Sequence, residues 1–327
     1  MWIYRVVLVS FEPLHQKTSH LEGLRATFGD RLRSDVSLAR YTTARVGGAA
    51  ELFLEVRSAD ELALGVSLTW QSGESLLVLG GGSNVLVSDR GVRGVVLLNR
   101  ARRVRFTQTS QPPVVWAESG AGFGLVARQA ASKGLSGLEW AAGIPGSLGG
   151  AVFGNAGAHG GDIAGQLVVA DILQRVKSGQ EVMPNREEWP VERLEYSYRS
   201  SILKRFPGQA FVLAAVMRLS RSTPEEVQAR TDELTSYRRR TQPPGASMGS
   251  MFKNPPGDYA GRLIDAAGLK GRRIGDAQIS TLHGNFFINN GRASSADIYS
   301  LIELAREAVA DKFGINLELE IELVGDW

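Results

Sequence analysis

The stretch LLVLGGGSNVLVSDRGVRGVVLL, Leu76 to Leu98, begins as an apolar strand and runs straight into three glycines. A dinucleotide-binding turn of the Rossmann kind needs strand, glycine turn and helix in that order. The segment after Gly80, Gly81 and Gly82 is instead rich in β-branched residues and broken by turn signals at Asp89 to Gly91. The order is therefore strand, glycine turn, strand, and the Rossmann assignment fails. Just upstream, Glu51 to Val56 alternates as a strand does. Ala59 to Ser72 carries helical spacing behind a serine, and Leu76 to Leu79 reads as a buried strand.

Working outward, a second glycine-rich run, GIPGSLGGAVFGNAGAHG, spans Gly143 to Gly160. Ordering so many glycines costs backbone entropy, which is hard to recover unless the backbone closely approaches something. A flexible linker would place serine and charge between the glycines, whereas here Ile144, Leu148, Val152 and Phe153 intervene. Around this run the pattern predicts a strand at Val114 to Glu118, a helix from Gly122 to Lys133, and strands near Leu167 to Val176 and Ala210 to Leu219. Two glycine turns with unencumbered amides make a cradle for a pyrophosphate.

A third unit opens at Ser222-Thr223-Pro224, a cap and first-turn signal for a helix to about Arg240. It continues through GSMFKNP (Gly249 to Pro255), a helix Ala260 to Gly268, the run HGNFFINNG (His283 to Gly291) and a helix from about Ser295 to Phe313. Near the C-terminus, Glu318, Glu320 and Glu322 alternate with Leu317, Leu319, Ile321 and Leu323, a pattern that predicts one strand with all three acids on one face. YSYRSS, Tyr196 to Ser201, reads as a packed strand end from which Arg199 projects.

Composition bounds the alternatives. With 327 residues the chain exceeds what one core usually supports. The 43% apolar and 22% charged shares are those of a globular protein, and a formal charge of +3 gives no footing for nucleic acid. There is no cysteine, which excludes disulfides, thiolate nucleophiles and iron–sulfur clusters. His15, His20, His159 and His283 show no metal-ligand spacing, so no metal is expected. The apolar opening WIYRVVLVSF is too short for a membrane span, and a cytoplasmic location is the default expectation. The densest basic cluster, Tyr237-Arg238-Arg239-Arg240, reads as a solvated helix end, with a phosphate-facing role as the alternative.

Taken in order, VLGGGSN, the second glycine run, YSYRSS, GSMFKNP and the terminal LELEIELVG closely resemble the UDP-N-acetylenolpyruvoylglucosamine reductases, the MurB family of flavoenzymes. The resemblance runs from about Leu38 to Gly325. It implies an α+β fold: a two-subdomain FAD-binding unit of the vanillyl-alcohol-oxidase (PCMH) type followed by a C-terminal α+β substrate-binding domain. The expected division is an N-terminal extension over 1–20, subdomains at 21–103 and 104–222 (the PCMH-type FAD domain about 45–222), and the C-terminal domain with its returning strand at 223–327. It further implies NADPH-dependent reduction of a UDP-sugar enolpyruvyl ether in peptidoglycan precursor synthesis, and with it cell-wall biogenesis, cell shape and division.

The resemblance assigns residues as well. Gly80, Gly81, Gly82, Ser83, Asn84, Gly143, Pro145, Gly146, Ser147, Gly149 and Gly150 fall along the FAD, with Thr43, Arg45 and Gly47 of YTTARVGG beside them. Asn84 stands where covalent flavoproteins of the group often carry histidine, so a non-covalent flavin is expected. Arg199 is implied to bind the enolpyruvyl carboxylate and stabilise the enolate, Ser250 to donate the proton, and Glu320 to act with Arg199. Lys253, Asn254 and His283 are substrate-side candidates; the bland reading of Asn254 is a turn cap before Pro255. Met251 replaces a common valine or phenylalanine and His159 a common tyrosine. Only 50 residues separate Arg199 from Ser250, which matches the family's shorter second type without an inserted tyrosine-bearing loop.

Two other classes share part of this pattern. A flavin oxidase of small alcohols or sugars would use the same cofactor fold but lack GSMFKNP and the terminal glutamates. A non-catalytic nucleotide-binding protein would keep the glycine cradles and need none of Arg199, Ser250 and Glu320.

Overall fold

The computed structural model describes residues 21–178 and 181–327; the expected extension over 1–20 lies outside the described residues. Helix α1 (Glu22–Phe28) leads into a four-stranded sheet of β1 (Arg33–Ser37), β2 (Ala49–Val56), β3 (Leu76–Leu79) and β5 (Val92–Asn99), in the order β1-β2-β5-β3. β2 and β3 both run parallel to β5, with α2 (Ala59–Ser72) crossing between them. α2 starts where Ser58 accepts from the Glu61 amide and stops at Gly73, whose φ of 72° closes the helix in the left-handed region. β4 (Val85–Val87) comes after the glycine turn and leaves this sheet.

The second sheet is antiparallel, in the order β12-β11-β13-β7-β6. Its strands are β6 (Val104–Thr107), β7 (Val114–Glu118), β11 (Leu167–Ser178), β12 (Glu181–Pro190) and β13 (Ala210–Arg218). Between β7 and β11 lie α3 (Phe123–Ala131), β8 (Leu135–Ser136), α4 (Leu148–Gly154), the small hairpin β9 (Gly157–Ala158) and β10 (Gly161–Asp162), and α5 (Ile163–Gln166). α6 (Ile202–Arg205) precedes β13, and β14 (Ser220–Arg221) pairs with β8.

α2 joins the two sheets. Leu62, Val66 and Trp70 pack with Leu54 and Leu97 of the first sheet and with Leu173 and Leu213 of the second. The Trp70 and Phe211 rings lie 5.8 Å apart across that junction. Glu118, fully buried, accepts from the Ala59 amide at 3.1 Å and the Arg103 amide at 2.7 Å. A carboxylate sealed away from water needs such donors, so this contact fixes how the lobes face each other.

After α7 (Pro224–Thr241), capped by Thr223, come α8 (Ala260–Ala266), the antiparallel sheet β15 (Arg273–Ile274), β16 (Ala277–Ile279) and β17 (Phe287–Asn289), and α9 (Ser295–Phe313). α9 buries Ile298, Leu301, Ile302, Ala305 and Val309 in a cluster that also takes in Ala44, Val46 and Leu86 from the first lobe. Asp89 accepts from the Ser295 and Ala296 amides at 2.9 Å, docking this helix start onto the turn after β4. The chain ends in β18 (Glu322–Val324), which returns to pair in parallel with β4.

Three local expectations are corrected. β3 is only partly buried over Leu76, Leu77 and Val78, because it forms one wall of a cleft between the sheets. Tyr196 to Ser201 is no strand end: Ser197 and Ser200 bond each other's main chain around a tight turn that puts Arg199 at φ 54°. The terminal acids do not share a strand face, since β18 begins only at Glu322 and the chain bends at Glu320 and Ile321.

Candidate active site

The cleft, of about 530 Å³, runs between the two sheets and the third unit. Along it lie Gly80, Gly81, Gly82, Ser83 and Asn84 from one glycine turn, and Pro145, Gly146, Ser147, Gly149 and Gly150 from the other. The turns touch: a Cβ on Gly81 would stand 2.7 Å from the Gly146 Cα, and one on Gly80 would stand 2.2 Å from the Ser147 Oγ. At Gly81 the obstacle is backbone, so a side chain there would force the turns apart, which is why the sequence spends glycine at this position. Among the described residues, the N–H groups of Gly81, Gly82 and Ser83 donate to no other group of the chain. Unused donors at a point of close backbone approach form an anion cradle. Leu77, Val78, Ile144, Phe153, Phe211 and Val212 supply apolar walls of the same cleft. A cradle for phosphates set in apolar walls fits a flavin dinucleotide.

Arg199, Ser250 and Glu320 all line this cleft. The Arg199 Nε donates to the Glu320 Oε1 at 2.7 Å and an Nη2–H to the Gly157 carbonyl at 2.7 Å. Its Nη1 has no partner among the described residues. A non-glycine residue held in the left-handed region costs about 1–3 kcal/mol, which marks this turn as built for the direction of its side chain. Ser250 comes directly after Gly249, whose φ of 79° turns the chain into the cleft. The next residues are clamped by the buried Asn285, whose side chain bonds both the amide and the carbonyl of Phe252. The Met251 carbonyl accepts from the Glu320 amide at 2.8 Å, so Ser250 and Glu320 are carried on adjoining, mutually bonded segments. Asn84 closes the arrangement by donating its Nδ2–H to the Glu320 carbonyl at 3.1 Å.

The other sequence candidates fall elsewhere. Thr43 braces the glycine turn from behind, bonding the Gly82 carbonyl through its amide at 2.9 Å and its hydroxyl at 3.2 Å, without lining the cleft. Arg45 is exposed, Gly47 packs on Val87, and Gly143 backs onto the Arg238 stem; none of the three is a cleft residue. The Asn254 side chain accepts from the Ala260 amide at 3.1 Å and so caps α8. Lys253 pairs with the exposed Glu318. His283 is turned into the third unit: its Nδ1 accepts from the Asn285 amide at 3.2 Å and its ring meets Phe286 edge-on. Burial, and after it the nearby Lys270, holds its pKa below the ordinary histidine value.

Sequence reading passed over Lys204, which lines the cleft beside Glu322. Of the basic cluster, Arg239 and Arg240 are exposed at the helix end, while Arg238 turns into the cleft. Burial lowers the Arg238 pKa, and it has no ion-pair partner among the described residues. A half-buried guanidinium with no described carboxylate beside it calls for an anion.

Comparison with known proteins places this architecture. Residues 50–178 match the FAD binding domain model, and residues 241–324 match the model for the UDP-N-acetylenolpyruvoylglucosamine reductase C-terminal domain. The chain is thus built as an FAD-binding flavoprotein with a reductase-type C-terminal domain. It is 44% identical over 297 residues to the UDP-N-acetylenolpyruvoylglucosamine reductase of Chloroflexus aggregans, covering 90% of this chain and 97% of that one. The enzyme of the same name from Rubrobacter xylanophilus is 44% identical over 292 residues, covering 89% and 95%. The crystal structure of MurB from Thermus caldophilus superposes with a TM-score of 0.73 at 35% identity, covering 90% of this chain and 99% of that one. The chain belongs to the UDP-N-acetylenolpyruvoylglucosamine reductase (MurB) family. Among the described residues no helix is long and apolar enough to cross a membrane.

Proposed function

We propose that this chain reduces the enolpyruvyl ether of UDP-N-acetylglucosamine to UDP-N-acetylmuramate, with NADPH as reductant and a non-covalent FAD in the glycine-lined cleft. The observation that carries the reading is the convergence of Arg199, Ser250 and Glu320 at a cleft whose first glycine turn holds unused amide donors. Asn84, at the turn's end, is an amide already engaged with the Glu320 carbonyl and is no nucleophile toward a flavin.

A flavin held by the amides of Gly81, Gly82 and Ser83 would supply the redox chemistry, the hydride passing from NADPH to the terminal enolpyruvyl carbon. The chain's residues handle the charge and the proton. The guanidinium of Arg199, with Nη1 to spare, receives the substrate carboxylate, whose planar geometry suits its fork. As the hydride arrives, negative charge grows on that carboxylate as an enolate, and a donor already aimed there needs no reorganisation. Glu320, bonded to the Arg199 Nε, fixes the fork's orientation. The hydroxyl of Ser250, bonded to no other described residue, supplies the proton to the neighbouring carbon, so the double bond gains one hydride and one proton. Arg238, a cleft cation without an ion-pair partner among the described residues, is suited to the diphosphate of the sugar nucleotide.

NADPH and UDP-sugars are cytoplasmic metabolites, so the protein works in that compartment, on small molecules and on neither nucleic acid nor membranes. The test is a steady-state assay of flavin-loaded protein in which NADPH oxidation depends on the enolpyruvyl sugar nucleotide and leaves oxygen unconsumed. Oxygen uptake driven by a sugar or alcohol, with no response to the enolpyruvyl substrate, refutes the reading in favour of an oxidase.

A further inference from the structure

Lys204 sits in the cleft wall with its side chain 14% exposed. Its ammonium donates to the Glu320 carbonyl at 3.0 Å and pairs with the Glu322 carboxylate at 2.7 Å. The Glu320 carbonyl also accepts from Asn84, so the cofactor turn, the Arg199–Lys204 segment and the C-terminal segment meet at one oxygen. The base of the side chain is held firmly. Ser201 accepts from the Lys204 amide at 3.2 Å and donates its hydroxyl to the Phe153 carbonyl at 2.6 Å, and Leu203 is buried in the core of the second lobe.

We propose that Lys204 is a positioning residue for the reduction: it fixes the Glu320 main chain so that the Glu320 carboxylate meets Arg199, and it neutralises Glu322 where the anionic substrate enters. Five residues apart, Arg199 and Lys204 grip the same residue, one by its side chain and the other by its carbonyl. No other described anchor of the Glu320 carbonyl carries charge, because Asn84 is a neutral amide. Glu322 lines the cleft and is 38% exposed, so without its ammonium partner a carboxylate would face a substrate bearing a carboxylate and a diphosphate. The inference rests on the proposed enolpyruvyl sugar nucleotide as substrate.

Three variants separate the two duties. Lys204→Met removes both, Lys204→Gln keeps a donor for the carbonyl without the charge, and Lys204→Met combined with Glu322→Gln removes the anion as well. Each is loaded with FAD and checked by thermal melting, and then kcat, KM and calorimetric binding of the sugar nucleotide to the oxidised enzyme are measured. We expect Lys204→Met to lower kcat roughly 10-fold to 100-fold and to weaken substrate binding about tenfold, with NADPH still reducing the flavin. Lys204→Gln should recover much of kcat but not of binding, and the double variant should recover binding but not kcat. A merely structural lysine predicts no such split. If Lys204→Met fails to fold, the Gln variant and its combination with Glu322→Gln carry the test. Wild-type kcat and KM in a folded Met or Gln variant overturn the proposal, as does binding that stays weak after Glu322 is neutralised. A wild-type enzyme that ignores the enolpyruvyl substrate instead overturns the functional reading on which this rests.

Discussion

Gly81→Val tests the contact between the two glycine turns. On the native backbone a Cβ added at Gly81 would stand 2.7 Å from the Gly146 Cα, 3.2 Å from the Gly146 carbonyl carbon and 3.4 Å from the Ser147 amide nitrogen. These are backbone atoms and cannot swing aside as a side-chain tip does. Ordinary contact begins near 3.4 Å, so the turns must part by about 0.7 Å for the Cβ alone, and by more for the valine methyls. Overpacking of this kind costs about 1–3 kcal/mol of stability. The larger effect falls on FAD, because the amides of Gly81, Gly82 and Ser83 lose their alignment. A hydrogen bond to a charged group contributes about 1.5–3 kcal/mol, so each one lost weakens FAD by roughly 10-fold to 150-fold. The assay is titration of apoprotein with FAD, monitored by flavin fluorescence, with circular dichroism melting to confirm folding. Gly165→Ala is the control, since its added Cβ meets only the Asp162 Oδ1, at 3.4 Å. A folded Gly81→Val that binds FAD within threefold of wild type refutes the cradle.

The same geometry sets further outcomes. Arg199→Ala and Glu320→Gln should retain the flavin spectrum and NADPH reduction while slowing reoxidation by substrate about 100-fold to 1,000-fold, the usual effect of removing a transition-state donor or its support; stopped-flow absorbance of the flavin reads both steps. Loss of NADPH reduction alone would reverse this division of labour. His283 is kept neutral by burial and by Lys270, so its folded pKa lies below its unfolded value near 6.5. In that case the unfolded chain binds more protons, and stability present above about pH 6.5 is lost as the pH falls through the folded pKa. Urea unfolding at pH 7.5 and 5.5 should show that loss, and His283→Gln should shrink it; an unchanged difference removes His283 as its source.

Local signals carried the elements well. The helical spacing behind a serine start gives α2 over Ala59 to Ser72, and the pattern places α9 from about Ser295 to Phe313. The structure adds what holds those ends, Ser58 and Gly73 for α2 and the Ser294–Asp297 capping box and Gly314 for α9, because helix ends must satisfy their own amides and carbonyls. The glycine turn was legible too, since β-branched residues stand where a Rossmann helix would start. The features that escaped reading are set by long-range contacts. The tight turn at Arg199 contains no glycine, asparagine or aspartate; it persists because Arg199 is held by Glu320 and Gly157. The alternation of Glu318, Glu320 and Glu322 matches a strand, yet three cations draw the acids apart: Lys253, Arg199 and Lys204. Nothing near Lys204 in sequence marks it, and Asn84 meets Glu320 across 236 positions. Asn254 caps the start of α8 at Ala260, six residues on, a contact that neither the substrate-side reading nor a turn cap before Pro255 describes.

The most direct test of the central claim is a pair of single-turnover rates, measured without oxygen on flavin-loaded wild type and Ser250→Ala. NADPH should bleach the flavin in both proteins at nearly the same rate, because that step takes no proton from Ser250. Addition of the enolpyruvyl sugar nucleotide should restore the flavin absorbance of wild type with formation of the lactyl ether. In Ser250→Ala that recovery should be about 100-fold to 10,000-fold slower, the cost of losing a positioned acid. Near-normal recovery in the folded, flavin-loaded variant would contradict the account and leave water or another residue as the proton source.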